Sequence, residues 1–189
     1  MRRPLTAPAA ILCLPLLAGV LCAEPVESGS KNQRPILSAA SEQRAEAAIE
    51  WRATLVEANL ALAGGAHDRA EGLLVKLLAR PDAAHPSGLL RARASDELAD
   101  LYRITDRPAL AIPHYRNSIE SLSRLLGPDQ PRVAVSLHNL GVCQGRAGDR
   151  AGARKSLDAA LEVWRRNDGE QSENYANTVR ALQRFVGDD

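Results

Sequence analysis

The chain has 189 residues, with 24 basic and 23 acidic side chains and a formal charge of +1. With no basic excess it has no electrostatic hold on a polyanion, so nucleic acid is excluded as a partner on charge. Aromatic residues are 3% of the sequence, so leucine and alanine must build the core, which suits stacked layers better than one large centre.

Met1-Arg2-Arg3 is positive, and Ala9–Leu21 is uncharged and apolar apart from Pro15 and Gly19. A membrane span takes about 20 apolar residues, more than this run supplies. Residues 1–23 therefore read as a secretory signal cut after Leu21-Cys22-Ala23, with a retained anchor as the alternative. Cys22 admits a lipid anchor, but Leu21 stands where lipoprotein processing looks for a small residue. Cutting there removes Arg2 and Arg3 and no acid, so in Glu24–Asp189 the acids outnumber the bases by one. Cys143 is then the one cysteine left. The expected location is periplasmic or secreted, with no stable membrane insertion once the signal is cut. A single cysteine makes no internal disulfide even in an oxidising compartment, and Cys143 reads as a small apolar core residue.

Residues 24–40, with two prolines and a Ser-Gly-Ser run, read as a flexible linker. The folded domain is expected over 41–189. An alanine-rich helix starts at Ser41 and runs through Trp51, Leu55 and Leu62 to Gly64-Gly65. Asp68 is the expected cap of the next helix, which carries Leu73, Leu74, Leu77 and Leu78 to a stop at Pro81. After the turn Pro81–Gly88, a second hairpin has Leu98, Leu101 and Tyr102 on its first helix, and Asp106 and Pro108 mark the start of its second. Pro113 would cost roughly 3 kcal/mol in a helix interior, and little if it lies within about a turn of the start. The third hairpin places Leu137, Leu140, Val142 and Cys143 on one helix, then Gly148 as a stop and Asp149 as a cap. Its second helix has Ala153, Leu157, Ala160, Leu161 and Trp164 on one face. Asn167-Asp168-Gly169 makes a turn, and 173–186 forms an end helix with Gln183 and Arg184 on its outer face.

These hairpins are copies. A 42-residue shift lays Leu98 on Leu140, Ala111 on Ala153, Tyr115 on Leu157 and Ile119 on Leu161. Gly65, Ala70, Leu74 and Leu77 repeat the turn and second helix one residue out of phase, and Ala176 and Leu182 match Ala134 and Leu140. A lone hairpin cannot bury both flanks of its stripe, so the copies must stack. The expected fold is all-α, an α-α solenoid of about three hairpins, with repeats at about 48–81, 92–126 and 134–168 and the end helix as cap.

The spacing of Leu140-Gly141, Gly148, Ala153, Leu157 and Ala160, and of Leu98-Ala99, Tyr102, Ala111 and Tyr115, resembles the tetratricopeptide repeat. The usual unit is about 34 residues. The 42-residue spacing, the connector Leu126–Pro131 and the run Ala111–Tyr115 resemble the kinesin-light-chain type. Ser95 and Leu137 stand where the motif has tryptophan, and Gln144 where the third copy has tyrosine. The resemblance implies a protein or peptide partner held in a concave groove lined by first helices. Copy by copy it implies Asn59, then Asp96, Glu97, Asp100 and Arg103, then His138, Asn139, Val142 and Gly145, then Arg180, Ala181 and Arg184. Asn139 resembles the asparagine that grips a peptide backbone in such repeats. An amide both donates and accepts, so it serves a peptide unit or an adjacent repeat equally well. Arg103, Arg146, Arg180 and Arg184 would form a basic end opposite Asp96 and Asp100.

No enzyme motif is present. His67, His85, His114 and His138 show no metal-ligand spacing, and there is no Cys-x-x-Cys, GxSxG, Walker or GxGxxG pattern. The first three histidines read as solvated, and the acids as solvated partners of nearby arginines. No cofactor or metal is expected. The sequence thus describes an exported, non-catalytic interaction scaffold. A dimerisation or docking module with an idle groove is the alternative, and an exposed apolar patch on an end helix would favour it. Self-association through such an end is a further expectation.

Overall fold

A computed structural model describes residues 39–80 and 88–187. The expected signal, its cut site, Cys22, the linker up to residue 38, and the Pro81–Pro86 turn with His85 lie outside the described residues.

Helices form where the apolar spacing predicts them: α1 (Ala39–Ala63), α2 (His67–Leu78), α3 (Gly88–Ile104), α4 (Pro108–Leu126), α5 (Pro131–Arg146), α6 (Arg150–Asn167) and α7 (Glu173–Phe185). The described residues hold these seven helices and no strand. Each helix packs on the next in sequence, giving the hairpins α1–α2, α3–α4 and α5–α6 with α7 as end helix. First helices also touch first helices, α1 on α3, α3 on α5 and α5 on α7, and no packing of comparable extent joins α2 to α4 or α4 to α6. The row of first helices is therefore the continuous seam of the stack. The starts of α4 and α6, and of α5 and α7, are separated by one full period of the sequence repeat.

Small residues set how closely the helices approach. Ala70, Ala111 and Ala153, equivalent early positions of α2, α4 and α6, are all fully buried. Gly141 sits so close to α6 that a Cβ there would lie 2.6 Å from Leu157 Cγ, and one on Gly145 would lie 2.4 Å from Phe185 of α7. Leu74, Leu98, Leu101, Tyr115, Leu122 and Leu157 fill the space beside these contacts. On α6 Val163 and Trp164 are buried along with Ala153, Ser156, Leu157 and Ala160, and Leu161 is only half-buried.

The turns correct several expectations. Asp68 does not cap α2: it lies inside the first turn, and the cap position is Ala66, with no side-chain bond. Asp106 does not start α4 either; Arg107 is the cap position and Pro108 the first helical residue. Asp106 instead takes a left-handed φ of 56°, matching Gly65 at 73° and Gly148 at 84°. All three stand at the same point of their hairpins, and aspartate is among the few side chains that tolerate that conformation. Asp149 does cap α6, accepting from the Gly152 amide at 2.9 Å, and Ser172 caps α7. Pro113 is the sixth residue of α4, beyond the four whose N–H groups are free anyway, so the Ala109 carbonyl goes without its usual helical donor.

The tyrosine missing from the third copy has a local explanation. Tyr102 rests against the His114 ring at 5.7 Å and donates to Glu71 at 3.1 Å, with the Arg107 guanidinium over its face. One period on, Gln144 and Ser156 occupy the two ring positions and join by a 2.6 Å hydrogen bond. A ring pair in one repeat is thus a polar pair in the next. His114 is half-buried against Tyr102, and burial lowers its pKa, so the expectation of a solvated histidine is corrected.

Gly141→Ala is expected to destabilise the fold by about 1–3 kcal/mol, since Leu157 must leave its rotamer or the helices must part. Gly72 is exposed on α2 with open space around it. Gly72→Ala should be neutral or stabilise by up to about 1 kcal/mol. Urea unfolding midpoints of the two variants check the contrast.

Candidate protein-interaction face

The positions implied by the resemblance lie on α1, α3, α5 and α7, and most of them bond to the adjacent repeat. Two ladders run along the row of first helices. In one, the Asn59 amide of α1 donates to Glu97 Oε1 of α3 at 3.2 Å. One repeat further, the Asn139 amide of α5 donates to Asp100 Oδ1 of α3 at 3.2 Å. Glu97 and Asn139 are equivalent by the repeat period, and so are Asn59 and Asp100 once the one-residue offset of the first copy is allowed for. The same rung is therefore used twice, with donor and acceptor exchanged.

In the second ladder the Ser136 hydroxyl donates to Asp96 Oδ1 at 2.6 Å, and His138 Nδ1 lies 3.0 Å from Thr178 Oγ1. Asp96 and His138 are one period apart, and so are Ser136 and Thr178. The Thr178 hydroxyl gives its hydrogen to the Asn174 carbonyl, so it accepts from His138 Nδ1–H, which fixes the imidazole tautomer. At the remaining equivalent positions of the two ladders the sequence has apolar residues, Leu55 with Ala94 and Val142 with Ala181. The polar pairs are contacts between neighbouring repeats, and the equivalent positions elsewhere are held by apolar residues.

Around the Asn139–Asp100 rung lies a tight cluster. Asp100 Oδ1 accepts from Tyr115 Oη at 2.5 Å, Arg103 Nε at 3.1 Å and the Asn139 amide. Arg103 Nε also reaches Tyr115 Oη at 3.2 Å. Arg146 donates to the Arg103 carbonyl at 3.4 Å and lies 3.9 Å from Asp106. The expected basic end opposite the acids does not form, because Arg103 is ion-paired to Asp100 itself. On α7, Arg180 bonds Asn177 and Arg184 lies over the Phe185 ring, 5.2 Å from its centroid.

Asn59, Asp96, Glu97, Asp100, Arg103, His138, Asn139 and Arg146 are thus brought together along one seam, and Arg180 and Arg184 stay on the end helix. Sequence reasoning missed Tyr115, Ser136 and Thr178. The signal for Tyr115 was its alignment with Leu157, because a hydroxyl at a core position requires a partner. For the other two it was a polar residue recurring one period on, opposite Asp96 and then opposite His138. Gly145, read as open groove, is covered by Phe185.

Among the described residues no group of three or more His, Cys, Asp or Glu side chains is placed to hold a metal ion, and no helix is long and apolar enough to cross a membrane. Cys143 is buried, and burial pushes its thiol up to about 11, far from a reactive thiolate. The seam offers carboxylates, amides and guanidinium groups with fixed directions. What it can offer chemically is hydrogen bonds and charge.

Periodic hairpins with a polar row of first helices define a helical-repeat protein. Residues 90–156 match the tetratricopeptide repeat family, so this stretch of the chain carries tetratricopeptide repeats. None of the curated proteins matches it. Among solved structures it is similar to BtubC (BKLC) from P. vanneervenii, at 23% identity and a TM-score of 0.58. The likeness covers 78% of this chain and 66% of that one, and it shows the fold alone. Proteins of this family are generally non-catalytic, and their repeats typically bind protein partners.

Asp96 and Glu97, expected in solvent, are largely withdrawn from it; Asp96 is 7% exposed. Arg132 is 3.7 Å from Asp96, and Arg93 is 3.1 Å from Glu97 Oε1. Glu97 Oε2 is buried with no partner among the described residues. Burial raises both carboxyls above their ordinary values of 3.8 and 4.5, against the pull of their hydrogen-bond donors. Each therefore binds its proton more tightly folded than unfolded. Their stabilising contribution is full below those ordinary values and is lost as pH rises through the raised ones. Asp96→Asn keeps an acceptor for Ser136 without the buried charge. It should raise the unfolding midpoint at neutral pH and flatten the pH dependence just above the ordinary carboxylate range, measured by thermal melts across a pH series.

Proposed function

We propose that this protein is an exported, non-catalytic adaptor whose row of first helices holds a segment of a partner protein. The observation that carries the reading is the Asp100–Arg103–Asn139–Tyr115 cluster. It holds charged and amide groups on α3 and α5 in set orientations by mutual hydrogen bonds. Asn139 gives an N–H to Asp100, and among the described residues its carbonyl oxygen takes no bond, so it can accept from a peptide N–H. The guanidinium of Arg103 lies beside it to meet a carbonyl or carboxylate. Both groups are half-buried, so a bound segment meets them already oriented and little side-chain entropy is lost on binding. An extended or helical segment is the fitting occupant, read by shape and side-chain contacts.

Partner capture from an envelope fraction tests the groove. Asn139→Ala and Arg103→Ala should each weaken capture about tenfold or more, while Lys76→Ala on the exposed face of α2 should leave it unchanged. Partners retained in full by both groove variants would remove the assignment.

Export rests on the charged start and the apolar run of residues 1–23. N-terminal sequencing of the protein from its native host should give Glu24 as the first residue. An intact Met1 would mean a retained anchor or no export.

The docking-module reading has its own observation. The end helix α1 carries an exposed apolar stripe, the feature by which the two readings part.

A further inference from the structure

α1 is apolar on two opposite faces. One face, with Trp51, Leu55 and Ala58, is buried against the stack. The other carries Ile49, Val56 and Leu60, exposed by 67%, 58% and 69%, together with the exposed Ala53 and Ala63. These five residues are spaced four, three, four and three apart, over about 21 Å of helix. That is the seam of a two-helix coiled coil, and a helix is the partner whose side chains keep step with it. Among the described residues no hairpin lies on this side of α1.

We propose that the stripe is a homodimer interface, covered by α1 of a second copy of this chain running antiparallel. The stripe complements itself in that direction. With Ile49 set against Leu60 of the second copy, Ala53 falls against Val56, and Ala63 against Glu46, whose carboxylate reaches water at the end of the seam. Two-fold symmetry repeats every pair, so one surface serves both copies. Charge selects the orientation. A parallel pair would set Glu42 and Glu46 against their own counterparts, and the antiparallel pair separates them. The flanking acids do not repel a second copy, because Glu50 is paired with Arg80 at 2.8 Å and Glu57 with Arg69 at 2.6 Å. A formal charge of +1 on the whole chain adds no long-range repulsion. Residues 24–38 contribute Val26, Ile36 and Leu37 as their large apolar side chains, without helical spacing, so their sequence carries no stripe to match that of α1.

Sedimentation equilibrium on the purified full chain at tens of micromolar tests this. The expected result is twice the monomer mass, falling on dilution. Val56→Glu with Leu60→Glu should weaken the dimer by about a hundredfold or more and return the monomer mass with unchanged helix content. Ile49→Glu, at the far end of the stripe, should act in the same direction, and Asn139→Ala should leave the dimer intact. A monomeric wild type overturns the proposal, as does a dimer that survives the double variant. Loss of helix content in all the stripe variants also overturns it, because the stripe would then belong inside the fold. The groove reading stands or falls separately, since its variants do not touch α1.

Discussion

A helix that is apolar on one flank can hide that flank against its hairpin partner, but a helix apolar on two flanks needs a second neighbour. That constraint governs this chain. α3 and α5 bury residues on both sides, and each is satisfied only because another hairpin lies next to it. Close approach makes the stacking work: Ala70, Ala111 and Ala153 let second helices fit against first ones, and Gly141 admits Leu157. At such distances dispersion and apolar burial do most of the stabilising, and large side chains are needed only to fill gaps beside the contacts. A core with few aromatics is sufficient on those terms.

The same nearest-neighbour rule explains the polar seam. Side chains at the face of one first helix are within reach of the next, and the sequence period brings equivalent residues to equivalent rungs. Where one side of a rung is polar, the other must be polar too, because a buried donor or acceptor without a partner costs more than the bond contributes. Asp96 with Ser136, His138 with Thr178, Glu97 with Asn59 and Asp100 with Asn139 all obey this. Leu55 with Ala94 and Val142 with Ala181 are the apolar form of the same rule. Repeats of this kind vary by pairs, as Tyr102 with His114 and Gln144 with Ser156 do.

For recognition, the consequence is that residues read as groove contacts serve the stack first. Asn139 bonds Asp100, and Arg103 is held by Asp100 and Tyr115, so a partner segment would meet groups already fixed in direction. Fixed groups bind selectively, since a segment that cannot match them leaves them desolvated and unpaired. On the two proposals the chain's surfaces divide the work: the polar seam would take a peptide, and the apolar α1 stripe another helix.

The hairpin count, the repeat period, the small-residue contacts and the Asp149 cap were all legible in the sequence, because each depends on spacing along a single helix or a single turn. The left-handed Asp106 was not, since its role appears only when its turn is superposed on those of Gly65 and Gly148. The partners of Asp96, Glu97, Asn139 and His138 were not legible either. They lie on neighbouring repeats, and which polar atoms meet across two helices depends on the interhelical distance and rotation. The two-sided character of α1 was present in its composition, but only packing showed which flank the stack takes and which it leaves to water. Periodicity fixes which residues share a face; the assembled stack alone decides what that face touches.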